Sequence, residues 1–202
     1  LMKIKHLIIG GGAIDDALAR ELKSFPNHVW STYGMTETLS HIALRRLNGT
    51  DASDWYTPFE NVSIRLSEEG TLIIHAPNVC PEELITNDIA EINAEGKFRI
   101  LGRKDNTINS GGVKIQIEQV EAALKAHLDI PFQITARKDA KIVEIAVLIY
   151  NKEGNEASIR PVCEATLPTY WVPKAYIAVD ELPMTGTGKP DRATARRMAN
   201  NE

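Results

Sequence analysis

Residues 31–38, Ser-Thr-Tyr-Gly-Met-Thr-Glu-Thr, combine side chains that suit phosphate and metal chemistry. Tyr33 is followed by Gly34, where the backbone can approach a ligand closely. A hydroxyl and a carboxylate then follow at the predicted start of a helix, whose N–H groups favour phosphate. Thr36 would donate to a phosphate oxygen, and Glu37 would hold Mg²⁺, a cation that prefers oxygen ligands. A turn with a capping threonine and a solvated glutamate explains the same spacing.

A lysine lies in a glycine-rich stretch towards the other end of the sequence. Residues 183–192 are Pro-Met-Thr-Gly-Thr-Gly-Lys-Pro-Asp-Arg, so Lys189 is predicted to lie on a mobile loop. A positioned ammonium stabilises the negative charge that gathers on a phosphoryl group during transfer. A solvated lysine on a surface loop is the alternative.

Two further segments carry opposite charges beside turn-forming residues. Asp88 lies in residues 86–89, Thr-Asn-Asp-Ile, and Arg103 lies in residues 101–105, Leu-Gly-Arg-Lys-Asp. An aspartate accepts hydrogen bonds from hydroxyl groups and an arginine donates them. A surface ion pair is the alternative for these two residue types.

A glycine run, Gly10-Gly11-Gly12-Ala13, follows a short apolar segment. It is not a GxGxxG motif, because Asp15 stands where the third glycine would be, and the sequence contains no GxxxxGK[ST]. On its own the run predicts a strand-to-helix turn.

Together these motifs resemble, in sequence order, those of the adenylate-forming superfamily of acyl-CoA synthetases, peptide-synthetase adenylation domains and luciferases. The resemblance implies that Tyr33 packs on adenine beside Gly34, that Thr36 contacts the α-phosphate, and that Glu37 binds Mg²⁺. The family's glycine-rich loop lies beside the adenine and acyl pockets, which assigns Gly11, Gly12 and Ala13 to the nucleotide and Gly10 to the acyl substrate.

The resemblance extends to the later segments. Asp88 would accept hydrogen bonds from the ribose hydroxyls, Arg103 would add a donor, and Asp105 would be the hinge of a rotating C-terminal domain. Asn87 replaces the family's usual glycine, and asparagine tolerates the positive φ of a turn. The loop over residues 109–115 would line the pantetheine tunnel of CoA at Gly111 and Gly112, although a hairpin turn suits the glycine pair equally well. Lys189 would be the catalytic lysine.

The implied activity has two steps, with ATP, Mg²⁺ and CoA as substrates and no tightly bound prosthetic group. A carboxylic acid and Mg·ATP give an acyl-AMP, and CoA then gives the thioester. Residues 33–41 and the triple glycine are similar to those of the o-succinylbenzoate–CoA ligases of menaquinone biosynthesis, a group in which Ser40 and His41 would face the acid. A helix surface or a packing contact is the alternative for these two residues.

Other functions remain open at this point. The chain would also suit an aryl- or fatty-acyl-CoA ligase for another acid, or a non-catalytic module that binds a nucleotide or a partner protein. The family's phosphate loop for the β- and γ-phosphates is not found in these 202 residues, so we expect the isolated chain to be inactive or nearly so.

The apolar pattern indicates which elements position these motifs. It predicts an α/β layer and a small antiparallel sheet or barrel in residues 1–104, and a small α+β unit in residues 105–202. The resemblance implies that the first is the C-terminal part of the large adenylate-forming domain and that the second is its mobile C-terminal lid domain. The predicted strands are 6–9, 28–33, 62–66, 72–76, 98–100, 132–136, 142–150 and 175–179. One helix is predicted to begin near Asp15, and four more are predicted at about 36–47, 117–128, 157–167 and 190–198.

Composition limits the class of protein. Apolar residues form 43% of the chain, charged residues form 25%, and the net charge is −4, which argues against nucleic acid as a partner. No apolar run reaches the length of a membrane span. Cys80 and Cys163 lie far apart without a CxxC pattern, which favours a reducing, cytoplasmic setting. Exposed apolar faces in residues 1–50 would favour a homo-oligomer.

Overall fold

The computed structural model of the chain describes residues 4–11, 14 and 16–201. Gly12 and Ala13, which the sequence assigns to the nucleotide, and Asp15, the predicted helix start, lie outside the described residues. The chain divides into two compact units, Leu1–Ile100 and Leu101–Glu202. The boundary after residue 104 stays a prediction.

The first unit begins with a mixed sheet. Strand β1 pairs parallel to β2 across a short helix, and β3 and β4 continue the sheet antiparallel. Leu22 of the helix packs with Val29 of β2 and with Leu47, all buried, which fixes the helix against the sheet. The predicted α/β layer is therefore present. Its elements are β1 (His6–Ile9), α1 (Asp16–Leu22), β2 (His28–Gly34), β3 (His41–Arg46) and β4 (Thr57–Pro58).

The helix predicted over residues 36–47 is wrong. Only one 3₁₀ turn, Thr36–Thr38, follows β2, and the chain then reverses into β3. Ile42 and Ala43 of β3 are almost completely buried in the core of this unit. Their burial, together with the backbone hydrogen bonds to β2, outweighs the helical tendency of the isolated segment.

The second half of this unit is an antiparallel sheet. Its strand order is β5-β6-β7-β8, with tight turns such as the one that Gly70 closes by donating to the carbonyl of Ser67 at 3.0 Å. Leu72, Ile74 and Phe98 form its fully buried core. The strands are β5 (Ser63–Leu66), β6 (Thr71–Ala76), β7 (Cys80–Ile92) and β8 (Phe98–Arg103), and the last three residues of β8 belong to the second unit.

The second unit is an α+β sheet around one central strand. Strand β12 pairs antiparallel with β11 and parallel with β13, and its Val143 pairs with Ser110 of β9. The remaining elements, in chain order, are β9 (Thr107–Ser110), β10 (Val113–Gln116), α2 (Ile117–Lys125), β11 (Phe132–Asp139), β12 (Val143–Asn151), α3 (Glu156–Thr166), β13 (Ala175–Val179) and α4 (Arg192–Asn200).

Alternation along β12 explains the layers. Ala146 and Leu148 face a core shared with α2 and α3, whereas Ile145 and Val147 face α4. Successive side chains of a strand point to opposite faces, so a strand that is apolar on both faces needs helices on both sides. No helix in the described ranges is long and apolar enough to cross a membrane.

Candidate functional site

Two motifs that lie far apart in the sequence meet in the first unit. The hydroxyl of Tyr33 donates a hydrogen bond to Oδ2 of Asp88 at 2.6 Å. The two side chains are half-buried, and 55 positions separate them in the sequence. The sequence assigned Tyr33 to adenine and Asp88 to ribose, and the structure brings these two residues together.

A bulge in β7 positions Asp88. Thr86, Asn87 and Asp88 lie opposite the single residue Leu72, because Ile85 pairs with Ile73 and Ile89 pairs with Thr71. Thr86 Oγ1 donates to the carbonyl of Leu72 at 2.8 Å and accepts from the N–H of Asp88 at 3.1 Å. Such bulges redirect a side chain out of the normal strand alternation.

Asn87 lies inside this strand rather than in a turn. It belongs to β7 and is not among the positive-φ residues of the described chain. The predicted left-handed turn at Asn87 is therefore wrong. The bulge supplies the change of direction that a glycine turn would otherwise provide, so asparagine at this position causes no backbone strain.

Two aromatic rings support Tyr33. Its ring meets Phe98 edge to face at 5.1 Å between centroids and lies 5.9 Å from Tyr56. Tyr56 stacks on Phe98 at 5.5 Å, and its hydroxyl lies 2.9 Å from Oγ of Ser31 in a buried position. These contacts fix the plane of the Tyr33 ring before any ligand binds.

Gly34 permits the reversal that follows. A Cβ at this position would lie 2.7 Å from Cα of His41 and closer still to the carbonyl oxygen of Ser40. The pairing of β2 with β3 shifts register between Tyr33 and Gly34. A side chain at this position would therefore force the two strands apart.

The turn over residues 35–40 presents Thr36 and Glu37 to solvent. Thr38 is fully buried, and its Oγ1 accepts from the N–H of Met35 at 3.1 Å and lies 2.7 Å from the carbonyl oxygen of Ser40. Leu39 closes the turn with a left-handed backbone, φ 57°, an uncommon conformation for a branched residue. Thr36 and Glu37 are exposed at the tip.

This turn is too short to act as a helix N-terminus. The predicted helix start is therefore wrong, whereas phosphate binding by the exposed hydroxyl of Thr36 and metal binding by the carboxylate of Glu37 stay predictions. Within residues 4–11, 14 and 16–201 there is no group of three or more His, Cys, Asp or Glu side chains that would hold a metal. Mg²⁺ is commonly bound by one or two carboxylates together with substrate phosphates, so a single glutamate fits that donor set.

The glycine run begins at the same end of the sheet. Strands β1 and β2 are parallel, and Ile9 pairs with Ser31, so Gly10 follows at the carboxyl end of β1. A Cβ on Gly10 would lie 2.5 Å from Oγ1 of Thr32, and Gly11 has a left-handed φ of 89°. Ligands of parallel α/β sheets bind outside the carboxyl ends of the strands. The described part of the run lies at this end.

Ser40 and His41 are not one helical turn beyond Glu37, because His41 opens β3. Oγ of Ser40 lies 3.2 Å from Nδ1 of His41, whose ring meets Phe59 edge to face at 5.5 Å. His41 and Phe59 line a surface pocket of about 160 Å³ together with Val79. Ser40 and His41 are both exposed, and their contact with the acid stays a prediction.

Arg103 and Asp105 lie together at the start of the second unit. Their side chains form an exposed ion pair at 3.2 Å beside the short 3₁₀ turn Lys104–Asn106. The backbone carbonyl of Arg103 accepts from Nε2 of Gln116 at 2.7 Å. The ribose contact of Arg103 and the hinge role of Asp105 stay predictions.

Gly111 and Gly112 form the turn of a hairpin between β9 and β10. Both have left-handed φ angles, 59° and 87°, and Ser110 pairs with Val113 across the turn. Two consecutive left-handed residues suit the twist of a two-residue hairpin. The hairpin alternative is therefore confirmed for the backbone, and contact with CoA stays a prediction for this exposed tip.

Lys189 lies in a tight loop, which we call the lysine loop, residues 183–192. The N–H of Thr185 donates to the carbonyl of Lys189 at 2.7 Å, and the N–H of Lys189 donates to Oγ1 of Thr185 at 3.1 Å. Residues 184–190 are exposed. The loop is therefore ordered by its own hydrogen bonds while its tip faces solvent.

Sequence inspection missed two polar residues beneath this loop. Glu121 is 9% exposed and binds Arg192 through two hydrogen bonds, at 2.6 and 2.7 Å. Gln133 is 2% exposed and donates to the carbonyl of Pro183 at 2.9 Å. For Glu121 the sequence did contain a signal, because a charged residue lies on the apolar stripe of α2 together with Ile117.

The buried ion pair favours the charged form of the arginine. Burial by itself lowers the pKa of Arg192, but the hydrogen bonds and the negative charge of Glu121 outweigh it, so the pKa is raised. Arg192 also donates to the carbonyl of Ile134 at 3.3 Å.

The chain is similar in sequence to known acid–CoA ligases. No family model matches the chain. It is 24% identical to the 2-succinylbenzoate–CoA ligase of Listeria innocua over 98% of the chain and 47% of that ligase. It is 31% identical to a solved acyl-CoA synthetase (AMP-forming)/AMP-acid ligase II-like protein from Dyadobacter fermentans, with a TM-score of 0.52 over 94% of the chain and 56% of that structure.

The fold is shared with a solved o-succinylbenzoate CoA synthetase from Bacillus subtilis. Its complex with the acyl-adenylate intermediate OSB-AMP has a TM-score of 0.78 at 22% identity, over 95% of this chain and 46% of that chain. Its complex with ATP and a magnesium ion has a TM-score of 0.74 at 24% identity, over 94% of this chain and 46% of that chain.

The chain is thus similar, over almost its whole length, to AMP-forming acid–CoA ligases, and the predicted resemblance to adenylate-forming enzymes is confirmed. In particular it resembles 2-succinylbenzoate–CoA ligases, and it spans about half the length of the curated relatives that it matches.

Proposed function

We propose that this chain is part of an AMP-forming acid–CoA ligase. The observation that carries the proposal is the hydrogen bond at 2.6 Å between Tyr33 and Asp88, which joins two predicted nucleotide-binding motifs. The similarity to AMP-forming ligases over almost the whole chain supports the same conclusion.

In the first step, a carboxylate oxygen of the acid attacks the α-phosphorus of ATP, and the bond to the β-phosphate oxygen breaks. The products are acyl-AMP and pyrophosphate. Tyr33 packs on adenine, and Asp88 accepts from the ribose hydroxyls. Two carboxylate oxygens accept about four hydrogen bonds, so the bond from Tyr33 orients Asp88 without exhausting its capacity.

The remaining groups interact with the negative charge of the phosphates. Thr36 donates to the α-phosphate, and Glu37 holds Mg²⁺, which neutralises phosphate oxygens when bound. The ammonium of Lys189 stabilises the charge that develops on the transferred phosphoryl group. In the second step, the CoA thiolate attacks the acyl carbon and AMP leaves, with Gly111 and Gly112 beside the pantetheine.

For the acid, we propose o-succinylbenzoate, supported by the similarity to ligases for this substrate. Ser40 and His41 contact the acid in this proposal. The test measures CoA-thioester formation by the complete gene product with o-succinylbenzoate, a cinnamate, a medium-chain fatty acid and anthranilate, each with Mg·ATP. A clearly higher kcat/KM for o-succinylbenzoate is expected. A preference for another acid would overturn the substrate while leaving the ligase class in place.

The 202-residue chain by itself is proposed to be inactive or nearly so, since it carries no recognisable loop for the β- and γ-phosphates. Pyrophosphate exchange by this chain should stay at background. Exchange at the rate of the complete gene product would contradict the proposal.

A further inference from the structure

The lysine loop is attached at both ends to neighbouring residues of β11. At its start, the buried amide of Gln133 donates from Nε2 to the carbonyl oxygen of Pro183 at 2.9 Å. The same nitrogen lies 3.4 Å from the sulfur of Met184. Gln133 is 2% exposed, whereas Met184 is 51% exposed. The first attachment is therefore buried, and the chain becomes exposed directly after it.

At the other end, Arg192 connects the loop to the same strand. Oε1 of Glu121 accepts both from Arg192, at 2.6 Å, and from the N–H of Ile134, at 2.8 Å. Arg192 donates in turn to the carbonyl of Ile134 at 3.3 Å. Since Gln133 and Ile134 are adjacent, the two ends of the loop are held at consecutive positions of β11.

These contacts set the direction in which Lys189 leaves the domain. The hydrogen bonds between Thr185 and Lys189 hold the tip of the loop together. The contacts at the two ends of the loop therefore determine how the tip is oriented. We propose that Glu121, Gln133 and Arg192 are positioning residues that hold Lys189 for phosphoryl transfer; this rests on the proposed function.

Stability alone does not explain these polar groups. Replacing a buried ion pair with apolar residues is often neutral or stabilising, so such a pair is weak evidence for a stabilising role. Helix α4 already packs on β12 through the buried Ala195 and Ala199. Within the described residues, Oε1 of Gln133 is buried without a hydrogen-bond partner, which costs free energy. A buried glutamine at this position is therefore better explained by a need to orient the lysine loop than by a gain in stability.

The test separates the two half-reactions in the complete gene product. Variants Gln133→Met, Glu121→Gln and Arg192→Met each remove part of the attachment. Arg196→Met is the matched control, because Arg196 lies on the same helix and its ion pair with Glu144 does not involve the loop. Rapid-quench assays measure acyl-AMP formation from acid and Mg·ATP, and thioester formation from preformed acyl-AMP and CoA.

We expect the three variants to slow acyl-AMP formation by about 10- to 100-fold, since small misplacements of reacting groups have effects of this size. Thioester formation should be unchanged, and Arg192→Lys should recover part of the rate because it keeps one charged contact with Glu121. Arg196→Met should affect neither step.

Equal losses in both steps, or none in the first, would overturn the positioning role. If Arg192→Met does not fold by circular dichroism, the milder Gln133→Met and Glu121→Gln decide the question. An undiminished first step in Lys189→Ala would instead overturn the lysine's proposed role, a failure distinct from that of its positioning residues.

Discussion

The phenol oxygen of Tyr33 lies 2.6 Å from Oδ2 of Asp88 and donates a hydrogen bond to it. The bond links the end of β2 to the bulge of β7. It also orients a carboxylate that the proposed function assigns to the ribose of ATP.

Tyr33→Phe should weaken ATP binding by about tenfold, because Asp88 would no longer be oriented for the charged hydrogen bonds that it accepts from the ribose, and one such bond contributes about 1.5–3 kcal/mol. The aromatic contacts with Phe98 and Tyr56 would remain, so the melting temperature should change little. Isothermal titration with ATP and magnesium measures the affinity. Tyr56→Phe is the matched control, since its hydroxyl pairs with Ser31 and not with Asp88. An equal loss of affinity in both variants would argue against a specific role for the Tyr33–Asp88 contact.

Gly34→Ala should destabilise the first unit by about 1–3 kcal/mol, the usual range for overpacking. The added Cβ would collide with backbone of Ser40 and His41, which cannot move without disturbing β3. Thermal unfolding measures the effect. Gly186→Ala is the control for added side-chain volume, because its Cβ would meet open space. Unchanged stability of Gly34→Ala would show that the turn over residues 35–40 tolerates a wider strand separation.

Lys189→Ala should lower the rate of acyl-AMP formation by about 10²–10³, as expected when one preorganised donor to a developing charge is removed. Thioester formation from preformed acyl-AMP should be much less affected, because no phosphoryl charge develops in that step. Single-turnover assays of each half-reaction measure the difference. Similar losses in both steps would contradict a role confined to adenylation.

Much of the fold can be predicted from the sequence. The alternation and apolar runs predict β2, β6, β11 and β12, and the apolar stripe of residues 117–128 predicts α2. These elements are predictable because their local pattern and their tertiary burial agree.

Elsewhere, tertiary pairing overrides local preference. Residues 41–46 form a strand because β2 supplies hydrogen bonds and the core accepts Ile42, neither of which is visible locally. The bulge at residues 86–88 depends in the same way on its partner Leu72.

Some residues of the candidate site can likewise be predicted from the sequence, and others cannot. Tyr33, Asp88 and Lys189 are predictable as motifs, since their residue types suit nucleotide chemistry. Gln133 and Glu121 are harder to predict, because each is a polar residue on an apolar face whose role depends on a distant contact.

Alkaline pH should destabilise the second unit. Burial raises the pKa of Tyr176 above its ordinary value of 10.0, with a further contribution from nearby Cys163, and burial likewise raises the pKa of Cys163 above 9.0. A raised folded-state pKa means that the folded state prefers the neutral form. Stability is therefore complete below the unfolded-state pKa values and falls as the pH rises above them.

Urea unfolding at several pH values above about 8 measures how steeply the free energy of unfolding falls with pH. Tyr176→Phe should flatten this dependence above pH 10, and Tyr170→Phe should not, because Tyr170 is 71% exposed. Identical slopes in the two variants would contradict the assignment to Tyr176.

The most direct test of the proposed ligase activity is isotope exchange between pyrophosphate and ATP. The complete gene product would be supplied with Mg·ATP, labelled pyrophosphate and o-succinylbenzoate, without CoA. We predict that label enters ATP only when the acid is present and that acyl-AMP can be isolated from the mixture. Absence of exchange with every carboxylic acid tested, by a folded protein that binds ATP, would contradict the account.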